Sequence, residues 1–372
     1  MQRQEFEASL APRQGDLLSL PFDQYGRMRI AQNVLTILLE SMADVDSGNP
    51  SSDGTLSGIS QSPNNSEIRN LPLSEAKGSK SQILDVGGYP GVLRHFVSPV
   101  YFDVHVLDVP PDDGSIPNYS QGSGMDLPFP DHSFDIVTAL DTLEHIPNIE
   151  RERFLTEMMR VARHACLLIN PVQSVEADVA EETLDEYIRW ILDAQQEQLQ
   201  EHRAFGLPDF SATADAFERN GWRTHSFSTA NVYNWLLMMV AKHYLISLRD
   251  EKASGFERTL DRFYNLTFSD ADRALPAYRG VVVAVRPGLE PALERIQVAY
   301  PPVTTTDTSN TVRLQLTQVL MTLLDLKTAN HEDRLLREQL EARDRHIAGM
   351  EQRLAVLDLQ LDRANHDLKR LD

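Results

Sequence analysis

At 372 residues, 41% of them hydrophobic, the chain is long enough for one large domain with appendages and a sizeable core. Its formal net charge of -20 argues against nucleic acid as substrate or partner, and no apolar run approaches the roughly 20 residues of a membrane span. The opening MQRQEFEASL has no apolar stretch of a secretory signal and the lone cysteine, Cys166, excludes an intrachain disulfide, so a cytoplasmic protein is expected.

Residues 1–43 form an N-terminal segment in which 21–43 reads as a helix, with Ile30, Val34, Ile37 and Leu38 on one face. Residues 44–79 are rich in Ser, Gly, Asn, Asp and Pro and poor in aromatics, which predicts a flexible linker. Residues 80–300 read as the main domain. Across 81–174 short apolar runs alternate with amphipathic stretches, the pattern of βαβ units on a parallel sheet. Helical insertions are expected at 175–205, with one long helix over Glu176–Gln200, and at 231–279, followed by a late strand at Gly280–Val285. Cys166 lies in the apolar run HACLLIN and reads as a packed thiol in a buried strand.

Residues 301–310 are a second linker, and 311–372 a long helical tail with a seven-residue pattern. Leu340, Ile347, Leu354, Leu361 and Leu368 recur every seventh position; Met350, Leu357, Ala364 and Leu371 follow four of them by three, and Arg343 interrupts that second series. Charged residues fill most of the remaining positions, so the spacing predicts a coiled coil over 333–372 that joins copies of the chain into a homo-oligomer. The alternative is a single amphipathic helix docked on its own domain.

The stretch QILDVGGYPGVL carries the first chemical signal. An apolar strand ends at Asp85–Val86, gives way to Gly87 and Gly88, then Tyr89, Pro90 and Gly91, and resumes as the helix-compatible run VLRHF. Glycine allows backbone angles and close approach that a Cβ forbids, and a following helix would aim its free N–H groups at a ligand. The spacing is not the dinucleotide G-x-G-x-x-G, because Tyr89 stands where a glycine would be. A second strand, FDVHVLDVPP, places Asp108 23 residues after Asp85, where a carboxylate suits the two hydroxyls of a ribose. Taken singly, the loop and the acid are each compatible with an ordinary turn.

Two further stretches complete a set: GSGMDLPFPDHSFDIVTALDTLEHI (122–146) and RFLTEMMRVARHACLLINP (153–171). Together these motifs resemble the class I S-adenosylmethionine-dependent methyltransferases, closely over residues 80–175. The resemblance implies an α/β fold with a doubly wound, mostly parallel seven-stranded sheet, Rossmann-like, and S-adenosyl-L-methionine as cofactor. It implies that Asp85, Gly87, Gly88, Tyr89 and Gly91 surround the methionine part, that Asp108 holds the ribose with Val109 beside the adenine, and that Met125 and Asp126 cover the adenine. Asp141 and Thr142 would lie beside the methyl donor. Two departures stand out: Tyr89 replaces a common glycine, and Ser123 replaces a common aspartate, which leaves Asp126 as the substitute.

Methyl transfer is an in-line displacement at an activated sulfonium, so a base is needed only for a hydroxyl or an ammonium acceptor. His145 in LEHI and His202 in EHRAFGLPD are the candidate catalytic residues, and Glu144 is a weaker one. A packing role for His145 and a surface position for His202 are the plain alternatives. The Glu176–Gln200 helix would be a lid, and no spacing in the sequence reads as a metal site. The aromatic and polar residues Phe263, Tyr264, Asn265, Tyr278 and Arg279 resemble the acceptor region of methyltransferases of bacterial surface-glycan pathways, with a protein core as the alternative. The resulting expectation is O-methylation of a sugar, a glycan or a related small molecule. The alternatives are C- or N-methylation of a small metabolite and an inactive scaffold served by the coil.

Overall fold

The computed structural model describes residues 16–47, 80–112 and 114–301, and helical positions at 336, 339–343, 345 and 348–350. Seven strands form one sheet: β1 (Ser81–Val86), β2 (Phe102–Asp108), β3 (Tyr119–Gln121), β4 (Phe134–Leu140), β5 (Ala162–Pro171), β6 (Arg223–Asn231) and β7 (Ala277–Val285). Their order is β3-β2-β1-β4-β5-β7-β6. All pairings from β3 to β5 are parallel, and β7 runs antiparallel between β5 and β6. The expected α/β architecture with a mostly parallel seven-stranded sheet is therefore present. Strand order reverses between β1 and β4, and in such sheets ligands bind outside the carboxyl ends of the strands at the reversal.

Side chains alternate between the two faces along each strand, so each face has its own core. On one face Ile83, Ile136, Leu167 and Val281 meet α1 (Phe22–Ser47) through Ala31, Val34 and Leu38, and α8 (Glu290–Ala299) through Ala292 and Ile296. On the other, Leu84, Val137, Cys166 and Val282 meet Phe154 and Met158 of α2 (Arg151–Val161) and Phe217 of α5 (Phe210–Arg219). β7 is buried along its whole length, which explains its continuous VVVAV run. Cys166 is fully buried, and burial pushes its thiol well above the ordinary range.

Three local features differ from the sequence reading. α1 runs on to Ser47, into the stretch read as a linker, and its apolar stripe is part of the sheet's core rather than of a separate N-terminal segment. The glycine loop leads into a single 3-10 turn, Val92–His95, because only the residues up to Tyr101 separate it from β2. The expected long helix over Glu176–Gln200 is two helices, α3 (Val175–Leu192) and α4 (Glu197–Phe205), with Asp193 left-handed at φ 51° between them. Buried Asp185 on α3 accepts hydrogen bonds from Arg203 of α4 (3.0 Å) and from Arg189, which ties the two together. The 231–279 segment contains α6 (Val232–Ser247), capped by the Asn231 side chain, and α7 (Glu251–Thr267).

Most of the predicted coiled-coil seam lies outside the described residues. Of its positions, Leu340 and Met350 are described, and both are exposed on helical backbone. No helix among the described residues is long and apolar enough to cross a membrane.

Candidate active site

At the carboxyl end of β1, Asp85 is 1% exposed. Its Oδ1 accepts a hydrogen bond from the Thr138 hydroxyl at 2.7 Å, while its Oδ2 is buried without a partner. Burial pushes Asp85 up to about 7; the Thr138 bond pulls the other way and the Asp108 charge adds to the rise. Gly88 closes over this carboxylate, and Gly87 packs against Thr142. A Cβ on Gly88 would stand 2.2 Å from Asp85 Oδ2, and one on Gly87 would stand 2.5 Å from the Thr142 side chain. Gly87 and Gly91 also take left-handed angles, φ 74° and 84°. The loop is thus a backbone cradle in which side chains have no room.

Asp108, at the end of β2, accepts from the Tyr89 N–H at 3.0 Å and from the Val109 N–H at 2.7 Å. The carboxylate therefore ties the tip of β2 to the glycine loop, and it keeps lone pairs for further donors. Val109 is exposed beside it. Gly122–Asp126 follows β3: the Ser123 hydroxyl accepts from Met125 N–H at 3.3 Å, Asp126 is exposed, and Met125 is half-buried against the second core. Asp85, Gly87, Gly88, Tyr89, Gly91, Asp108 and Val109 thus lie on or beside one loop system around the ends of β1 and β2.

Asp141 lies across the reversal point, after β4, at the uncommon angle φ 51°. Arg279 of β7 holds it with two hydrogen bonds, at 2.9 and 2.6 Å, and Arg27 of α1 adds a contact at 2.8 Å. Burial alone would raise its pKa, but Arg27 and Arg279 together outweigh this and hold it at about 2. Asp141 is therefore a partner of two guanidiniums, a role that its position in the sequence did not suggest. Arg27 and Arg279 lie 114 and 138 residues from it in sequence, and no local pattern links them.

The next residues form a 3-10 turn, Leu143–His145, against which α4 packs. His145 stands at the end of this short turn, and Pro147 follows it. His202 was weighed as a surface residue, yet it is only 7% exposed because α4 turns it inward onto His145. The two rings are 5.0 Å apart. The Nδ1 of His145 donates to Glu201 at 2.7 Å, and that of His202 to Glu181 at 2.8 Å. Glu181 also accepts from the Tyr278 hydroxyl at 2.7 Å. Glu144 is 1% exposed, and burial followed by the Asp141 charge pushes its carboxyl well above the usual range. Burial and then His202 lower His145, against the pull of Glu201.

The aromatic segment read as a sugar platform is mostly interior. Tyr264, Asn265, Tyr278 and Arg279 are buried, and of their buried side-chain polar atoms only Asn265 Oδ1 lacks a partner inside the fold. Asn265 donates to the Leu18 and Leu20 carbonyls, and Tyr264 to Asp272. Phe263 stays exposed. At the carboxyl edge a cleft of about 460 Å3 opens instead, bordered by Val172, Ser174, Ser228, Leu275 and Ala277.

Residues 103–169 match a family described as a methyltransferase domain. A 52-residue stretch is 35% identical to ajmaline N-methyltransferase of Rauvolfia serpentina, over 14% of this chain. The match spans only 17% of that relative's length. Among solved structures, the YcgJ protein of Bacillus subtilis is 14% identical with a TM-score of 0.33, over 56% of this chain and 92% of that one. Phosphoethanolamine N-methyltransferase 2 of Haemonchus contortus, solved with S-adenosyl-L-methionine, is 14% identical with a TM-score of 0.36, over 56% of this chain and 49% of that one.

Proposed function

We propose, from the premise that this chain belongs to the class I S-adenosylmethionine-dependent methyltransferases, that it methylates a hydroxyl oxygen of a small-molecule acceptor. One observation carries the reading: a buried carboxylate oxygen without a partner, Asp85 Oδ2, faces a glycine loop with no room for side chains, beside an acid at the tip of β2. That set fits S-adenosyl-L-methionine, whose cationic amino acid end suits Asp85 and whose ribose diol suits Asp108. Bound there, the cofactor supplies a methyl group already activated on a sulfonium.

The protein's remaining tasks are to bind the acceptor, exclude water and handle a proton. His145 carries its proton on Nδ1, toward Glu201, so its Nε2 lone pair is free for an acceptor hydroxyl. Its lowered pKa keeps that lone pair available near neutral pH. A sugar or glycan-related alcohol is the finer reading; with most of the aromatic segment buried, exposed Phe263 is what supports it. N-methylation is the second reading, favoured by the name of the plant relative alone.

Calorimetry with S-adenosylmethionine, followed by a labelled-methyl screen of alcohols and amines, tests this. Binding is expected at micromolar level, with label on oxygen. His145→Ala should lower turnover about 100-fold and leave cofactor affinity unchanged. Absence of cofactor binding would leave the inactive-scaffold reading. The heptad seam supports association through residues 333–372. Light scattering should then give a multiple of the chain mass, and removal of 311–372 should give a monomer that still binds cofactor.

A further inference from the structure

Two buried acceptor atoms where α4 packs on the Leu143–His145 turn have nothing to accept from. Glu144 Oε2 and His202 Nε2 are both shielded from solvent and both without a partner. A buried group left in this way costs about 1–3 kcal/mol, so it calls for a compensating ligand. Each belongs to a side chain more than nine-tenths buried, and His145 completes the group: one donor atom from each of the three residues lies within 4.8 Å of the others.

The tautomers make the group specific. Glu201 takes the Nδ1 proton of His145 and Glu181 that of His202, so both imidazoles present a bare Nε2. Histidine metal ligands are held in this way, with a carboxylate on the far nitrogen that sets the tautomer and raises basicity. Tyr278 fixes Glu181 in turn. A direct hydrogen bond between Glu144 and His145 does not account for the cluster, since Glu144 Oε1 and His145 Nε2 are 4.0 Å apart. Asp141 is kept out of the set by Arg27 and Arg279.

We propose that Glu144, His145 and His202 bind a divalent transition-metal ion of the zinc class. Two imidazoles and one carboxylate suit such an ion and are a poor match for magnesium or calcium, which prefer all-oxygen shells. Donor atoms around a tetrahedral ion with metal–nitrogen bonds of about 2.0–2.1 Å are roughly 3.3 Å apart, so the ion draws the three ligands closer than the 4.8 Å within which they now lie. Three protein ligands leave a position open for substrate. An acceptor hydroxyl there ionises more readily; its proton passes to water, a C–O bond forms to the transferred methyl, and the S–C bond breaks with its electron pair on sulfur. This part rests on the methyltransferase reading and replaces His145 as direct base; the binding of the ion does not rest on it.

The test uses the full chain stripped with chelator and dialysed. Titration with Zn2+ by calorimetry, and with Co2+ by visible absorption, should show one site of micromolar affinity or tighter, with a tetrahedral cobalt spectrum. His145→Ala and His202→Ala should each weaken Zn2+ binding at least about tenfold, and Glu201→Gln by about tenfold through the second ligand shell. His145 is 28% exposed, so its removal leaves the fold intact, which unchanged S-adenosylmethionine affinity in the same variant verifies. Absence of a Zn2+ site, or binding unchanged in both histidine variants, overturns the proposal. Cofactor binding without metal binding sinks this inference alone, whereas metal binding without cofactor binding sinks the functional reading alone. Full turnover in the stripped protein removes the ion from the reaction.

Discussion

The glycine cradle after β1 and the Asp141–His145 corner after β4 flank the β1/β4 reversal and are built by different means. The cradle is mostly backbone: Gly87, Gly88 and Gly91 shape it, Tyr89 N–H reaches Asp108 over 19 residues, and one side-chain link, Thr138 to Asp85, comes from farther away at 53. The corner is made of side chains gathered from across the chain. Asp141 meets Arg279 at a separation of 138 residues, His145 meets Glu201 at 56, and Tyr278 meets Glu181 at 97. A cradle needs backbone close to a ligand, which glycine supplies locally. A corner that holds ionisable groups out of water needs each of them paired, and partners come from wherever the fold delivers them.

If that contrast is right, breaking the Asp141–Arg279 pair in the corner should unsettle the fold and breaking the cradle should not. The largest effect is expected for Arg279→Met, which removes a buried guanidinium and leaves half-buried Asp141 with only Arg27: about 3 kcal/mol of stability, or roughly 10 °C in Tm. Calorimetric melting checks it, and a shift under about 2 °C would mean that Arg27 alone suffices. Gly88→Ala drives a methyl group against Asp85 and should cost about 100-fold in S-adenosylmethionine affinity by titration, close to 2.7 kcal/mol, with a much smaller change in Tm than Arg279→Met. An equal loss of Tm would erase the distinction between the two regions.

Asp108→Ala removes a charged hydrogen-bond acceptor worth roughly 1.5–3 kcal/mol and should weaken the cofactor at least about tenfold. Wild-type affinity would take Asp108 out of the site. The smallest effect is one of pH. Asp85 titrates at about 7, and a ligand cation favours its charged form, so below that pH a proton must first leave. Cofactor affinity should rise up to about tenfold between about pH 6 and pH 8, and Asp85→Asn should flatten the profile. A wild-type profile that falls with pH would show that the cation is not on Asp85.

Residue types and their spacing were enough to determine the βαβ units of a parallel sheet, the buried strand around Cys166, and the glycine loop with Asp85 and Asp108; the doubly wound order came from the family resemblance. Strand periodicity and glycine chemistry act over a few residues, so the information lies next to where it is used. The tertiary structure alone decided the corner. It turned His202 from an expected surface position onto His145, gave Asp141 two arginines, left Glu144 and His202 each with an unpartnered atom, and put Tyr264 and Tyr278 in the core. Ion pairs and burial depend on which elements the topology brings together, and at separations of 50 to 140 residues composition and periodicity carry no trace of that pairing.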